Sequence, residues 1–180
     1  MSIHVHGLRE KLRYGKFVVT AEVEPPKGSN PQSTLDSASR IRPWVDAFNI
    51  ADSPMATMRM NPFALGHILQ ENLGVEVIPH VTCRDRNVIG MQAELLGAAA
   101  LGLRNFLSLT GDDCRRGDHP DAKGVFEVDT VGLISLAQQL KLGKDKTGHP
   151  LSSIPDFFIG AAANPGSDDL PREVARLKKK

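Results

Sequence analysis

Apolar runs recur along the chain at a near-constant interval. They cover Phe17 to Val23, Val45 to Ile50, Val75 to Val81, Phe106 to Leu109 and Phe157 to Ala163. The first three begin 28 and 30 residues apart, and the fourth follows after about the same step. One β-strand plus one returning helix has this length. The segments between the runs carry helix signals. Asn61-Pro62 supplies an N-cap and a first-turn proline, Phe63 to Leu73 an apolar stripe, and Gly74 a stop. Asp85 is placed to cap a helix through Met91, Leu95 and Leu96 that stops near Gly102. Asp129 is placed to cap Val131 to Leu142, with Gly143 behind it, and Leu8 to Tyr14 reads as a short leading helix.

Strand-helix alternation specifies a parallel α/β fold. A doubly wound nucleotide-binding sheet would carry a glycine fingerprint after its first strand. That position reads Glu24-Pro25-Pro26-Lys27-Gly28, with neither GxGxxG nor a P-loop. The pattern therefore predicts a (β/α)8 TIM barrel. Such a barrel takes about 250 residues, and the last helical pattern, Leu170 to Lys180, runs to the final residue. The expectation is one domain over residues 1–180, the N-terminal part of a barrel truncated after about five β/α units.

Composition narrows the function class. The net charge is +1 with 24% charged residues, so no basic face marks a nucleic-acid binder. The two cysteines, Cys83 and Cys114, form no CxxC pair, which argues against zinc ribbons and thioredoxin chemistry and fits a reducing cytoplasm. No apolar run approaches the ~18 residues of a membrane span, and Met1 to Arg13 lacks a signal-peptide core. His4 and His6 could bind metal, although an unstructured terminus explains them as well.

In a barrel the active site is built at the carboxyl ends of the strands, and those ends are chemically unusual here. The first reads Ala21-Glu22-Val23-Glu24-Pro25-Pro26 and the second Asn49-Ile50-Ala51-Asp52-Ser53-Pro54. The third reads His80-Val81-Thr82-Cys83-Arg84-Asp85, the fourth Leu109-Thr110-Gly111-Asp112-Asp113, and the last Ala161-Ala162-Ala163-Asn164-Pro165-Gly166. Alternation puts Phe17, Val19, Ala21 and Val23 on one face of strand one, suited to packing under helices. Val18, Thr20, Glu22 and Glu24 then face the barrel mouth. A carboxylate there would lose water and gain general-acid character; the competing reading pairs both glutamates with cations at the rim. His80 and Thr82 share a face of strand three, where a histidine is either structural or functional. Pro79 is awkward in a central strand, because it lacks an N–H. Gly111-Asp112 is either a ligand-approaching turn or an ordinary one, and Cys83 reads as a small buried residue.

Together, Ala21 to Gly28, His80 to Asp85, Leu109 to Asp113 and the fifth strand running into Ala161 to Pro165 resemble the methylenetetrahydrofolate reductase family. The resemblance runs from Leu8 to Lys180 and is closest to the branch that includes fusions with homocysteine methyltransferase. It implies a barrel carrying FAD that reduces 5,10-methylenetetrahydrofolate to 5-methyltetrahydrofolate with NAD(P)H. It implies that Glu22 is the acid that protonates N10 as the substrate ring opens. It implies that Asp112 touches folate and lies near the flavin. His80, with Thr82 beside it, falls at the FAD site, as do Thr110 and Gly111, and Lys179 and Lys180 fall near the FAD diphosphate. Glu24 and the Ala51-Asp52-Ser53 and Ala162-to-Gly166 segments depart from the family pattern. The implied partners are the folate and the nicotinamide, in a homo-oligomer or a complex with a methyltransferase subunit. A pterin-binding barrel, either a methyltransferase or a non-catalytic folate- or flavin-binding subunit, is the competing function.

Overall fold

A computed structural model of the chain describes residues 7–180, so His4 and His6 lie outside the described residues. Five parallel strands form one sheet in the order β1-β2-β3-β4-β5. They are β1 (Thr20–Val23), β2 (Ala47–Ile50), β3 (Glu76–Thr82), β4 (Asn105–Leu109) and β5 (Phe158–Ala161). The helices are α1 (Leu8–Arg13), α2 (Gln32–Ile41), α3 (Pro62–Leu73), α4 (Val88–Ala100), α5 (Thr130–Lys141) and α6 (Leu170–Lys179). Every strand pairs with its neighbour in sequence, without the reversal of order that defines a doubly wound sheet. Right-handed crossovers then put the connecting helices on one face. These are five consecutive β/α units, arranged as in a (β/α)8 barrel.

The helix-side face is the core. Phe48 and Ile50 of β2, Val77 and Val81 of β3 and Phe106 of β4 are almost fully buried, together with Leu65 and Leu69 of α3, Leu95 of α4 and Leu133, Leu136 and Leu140 of α5. Phe106 meets Phe157 edge-on at 5.5 Å between ring centres. Asn61 caps α3 by accepting from the N–H groups of Phe63 and Ala64, and Asp129 caps α5 by accepting from that of Gly132.

Three sequence expectations need correction. α4 is capped by Asn87, whose side chain accepts from the Gly90 N–H; Asp85 binds its neighbour Arg84 instead. β1 begins at Thr20, and Phe17 is 90% exposed. β1 has a strand partner on one side only, so Phe17 and Val19 precede the paired segment and nothing covers Phe17. Pro79 is accommodated because β3 changes neighbours there. Its pairing with β2 ends at Ile50–Pro79, and its pairing with β4 begins at His80–Leu107. Below that point the Asn105 side chain reaches the Val77 carbonyl at 3.3 Å.

Candidate active site

The face of the sheet opposite the packed core carries a polar row. The register places Glu22 beside Asn49 on β1 and β2. The Asn49 amide donates to Thr20 Oγ1 at 3.0 Å, and its carbonyl oxygen lies 3.4 Å from His80 Nε2. This arrangement puts the proton on Nε2 and leaves Nδ1 as the acceptor. His80 is 9% exposed. Burial pushes its pKa below the ordinary value, against partial opposition from Glu22 and Asp52, so the ring is neutral near pH 7.

That shift makes a stability prediction. The depressed pKa of folded His80 means that the unfolded chain binds the proton more readily. The stabilisation is complete above the unfolded value of 6.5 and is lost as pH falls below it toward the folded value. Chemical denaturation from pH 7 down to pH ~5 should show a stability loss that His80→Gln abolishes. An identical decline in the variant contradicts a buried neutral imidazole.

Glu22 lies at the carboxyl end of β1 on the same face as His80, and no hydrogen bond or ion pair holds its carboxylate among the described residues. It is exposed, which corrects the expectation of a water-depleted carboxylate; the five strands leave this face open. Glu24 follows the competing reading, a rim ion pair, with Arg59 Nη2 at 3.1 Å from its carboxylate.

β2 and β3 are joined at their carboxyl ends by a buried network absent from the sequence expectation. Asp52 Oδ2 accepts from the Thr82 N–H and the Thr82 hydroxyl, both at 2.9 Å, and from Arg86 Nη1 at 2.6 Å. Arg86 Nε donates to Glu94, and Asn61 Nδ2 donates to the other Glu94 oxygen at 3.3 Å. Burial alone would lower the Arg86 pKa, but Asp52 and Glu94 outweigh it and raise it. The signal was present in the sequence as Asp52 and Arg86, each just past a strand end; the pairing across 34 residues was not.

At the end of β4, Gly111 has φ of 92°, and a Cβ there would lie 3.0 Å from the Cβ atoms of Thr82 and Arg84. The close approach this glycine permits is to β3. Asp112 Oδ2 accepts from the Met55 N–H at 3.0 Å, and Arg116 Nη1 lies 3.8 Å from Oδ1. The Thr110 and Thr130 hydroxyls are 2.8 Å apart. Lys180 turns back along α6 to donate to the Ala162 carbonyl at 2.5 Å, near Glu173 at 3.9 Å. Lys179 is exposed. Cys83 is fully buried, and burial pushes its thiol up to about 11.

Glu22, His80, Thr82, Thr110, Gly111 and Asp112 therefore all sit on one edge of the sheet, across three of its strand ends. Thr82, Thr110 and Lys180 use their polar side-chain atoms within the protein. Among the described residues, His80 Nδ1, the Glu22 carboxylate and Lys179 do not. Among the described residues no cluster of His, Cys, Asp and Glu could hold a metal ion, and no helix is long and apolar enough to cross a membrane.

None of the curated proteins compared with this chain matches it. A family model described as methylenetetrahydrofolate reductase does, over residues 7–180. That match spans all five β/α units and every strand end that carries the polar edge, so the chain belongs to the methylenetetrahydrofolate reductase family, oxidoreductases of folate one-carbon metabolism.

Proposed function

We propose that this chain reduces 5,10-methylenetetrahydrofolate to 5-methyltetrahydrofolate with NAD(P)H, with FAD as the cofactor. The observation that carries the reading is Glu22. Its carboxyl group makes no hydrogen bond or ion pair among the described residues, and it stands at the carboxyl edge of the polar face with β2 between it and a neutral histidine on β3. Opening the imidazolidine ring of the substrate needs a proton on N10 as that nitrogen leaves, and Glu22 supplies it once the bound folate shuts out the water that otherwise reaches its carboxyl group. Asp112 accepts hydrogen bonds from N–H donors of the pterin, and His80 lines the floor between them.

The residues present fit a flavin in part. A neutral His80 with a free Nδ1, the half-exposed Asp112 and the exposed Lys179 offer what a flavin ring and a diphosphate need. The Thr82 hydroxyl and the Lys180 amine, bound to Asp52 and Ala162, do not. FAD, when bound, supplies the two-electron relay between nicotinamide and folate. The protein's part is to hold both ligands on the edge and to move the proton at Glu22.

The reading is tested by supplying the full-length protein with FAD, NADH or NADPH, and methylenetetrahydrofolate. Nicotinamide oxidation should start on addition of the folate and yield methyltetrahydrofolate in equal amount. Folate binding without nicotinamide oxidation would favour a pterin-binding barrel instead.

A further inference from the structure

The segment from Ser53 to Met58, between β2 and α3, is strained. Ser53, Met55 and Ala56 have φ of 44°, 52° and 54°, a region that non-glycine residues enter at a cost. Three such residues within four positions persist only where the surroundings hold them. The Met55 side chain is 65% exposed, so apolar packing of that residue does not hold the loop. Its restraints are polar and steric. Arg84 Nη2 donates to the Ser53 carbonyl at 3.2 Å, the Met55 N–H to Asp112 Oδ2 at 3.0 Å, and the Met58 N–H to Asp118 Oδ1 at 3.0 Å. Gly117 presses on the segment, since a Cβ there would fall 1.8 Å from the Ala56 carbonyl oxygen. Asp118 is gripped in turn by Lys27 at 2.5 Å and by His119 at 2.8 Å. The loops after β1, β2 and β4 are thus tied together across the carboxyl edge.

We propose that Ser53 to Met58 is a strained flap latched on Asp112, released when N–H donors of a bound heterocycle take the Asp112 carboxylate. This rests on the reading of Asp112 as a ligand-contacting residue. The latch is one main-chain hydrogen bond to a carboxylate that is 43% exposed, so a ligand reaches the same acceptor. When it does, the loop loses that bond but is freed from its left-handed backbone, and the two changes oppose each other. A rigid brace would gain nothing from three strained residues. In a latch the strain lowers the cost of opening, while Asp118 keeps the far end of the flap attached.

Residue-resolved hydrogen exchange on the full-length protein tests this. Asp112→Ala should speed exchange at the Met55 amide about ten- to hundredfold, the range of a hydrogen bond to a charged group, while β3 amides stay protected. Asp112→Asn, which keeps the shape and one acceptor, should give a smaller change and serves if the alanine variant does not fold. Met55→Gly, which removes one strained residue, should slow exchange at that position. Unchanged exchange in the Asp112 variants, or in Met55→Gly, overturns the latch without any ligand. In the ligand arm, 5-methyltetrahydrofolate bound by calorimetry should raise Met55 exchange; a bound folate that leaves it protected overturns the release. No heat of binding would count against the folate reading, and the variant arms would still decide the latch.

Discussion

Glu22→Gln should lower the rate of methyltetrahydrofolate formation by about 10²- to 10⁴-fold, the usual contribution of a general acid. Glutamine keeps the length and polarity of the side chain and removes the ionisable carboxyl group that transfers the proton. Folding should be unaffected, because Glu22 holds no hydrogen bond or ion pair among the described residues. Oxidation of nicotinamide by the flavin should also be unaffected, since that half-reaction has no leaving amine to protonate. The two half-reactions, followed separately, should therefore diverge in this variant alone. Equal loss in both would make Glu22 a binding residue. Full turnover would remove it from the chemistry.

The second large effect is on stability. Arg86→Met should destabilise the protein by roughly 3–5 kcal/mol, the cost of leaving one member of a buried ion pair uncompensated. The side chains of Arg86 and Asp52 are 10% and 4% exposed, so water cannot take over for the lost partner. Asp52→Asn added to Arg86→Met should recover much of that loss, because the amide carbonyl still accepts from Thr82 while the stranded charge is gone. Urea denaturation of both single variants and the double variant gives the coupling directly. A single-variant loss below ~1 kcal/mol would be the behaviour of a surface pair and would contradict the buried network.

The fold was legible where periodicity and capping agree. Asn61-Pro62 and Asp129 announced α3 and α5, and the even spacing of apolar runs announced a parallel sheet in sequential order. α2 was less legible. Its sequence, Gln32 to Ile41, has few apolar residues and no side-chain cap. The cap of α4 was misplaced from Asn87 to Asp85 because both are good capping residues two positions apart. What decides between them is the Arg84–Asp85 pair, which only the folded geometry reveals.

The candidate site divides in the same way. The strand-end positions of Glu22, His80 and Asp112 follow from alternation and from the rule that barrel sites sit at carboxyl ends. The hydrogen-bond partners of His80 and Asp112 do not, because each is distant in sequence. Asn49 reaches His80 across 31 residues, Asp52 reaches Thr82 across 30, and the Met55 N–H reaches Asp112 across 57. Thr82 shows the consequence. Its place beside His80 suggested a ligand contact, yet its hydroxyl is bound by Asp52. A main-chain donor such as Met55 carries no residue-type signal at all.

Hydride transfer from nicotinamide to folate is tested by a stepwise anaerobic titration of the full-length protein purified with its cofactor. NADH or NADPH is added first and methylenetetrahydrofolate second, while the visible flavin absorbance is followed. The protein should be yellow, bleach with the nicotinamide and regain its colour with the folate, with methyltetrahydrofolate as the product. A flavin that stays bleached when the folate is added, or a protein that binds the folate and never oxidises the nicotinamide, would contradict it.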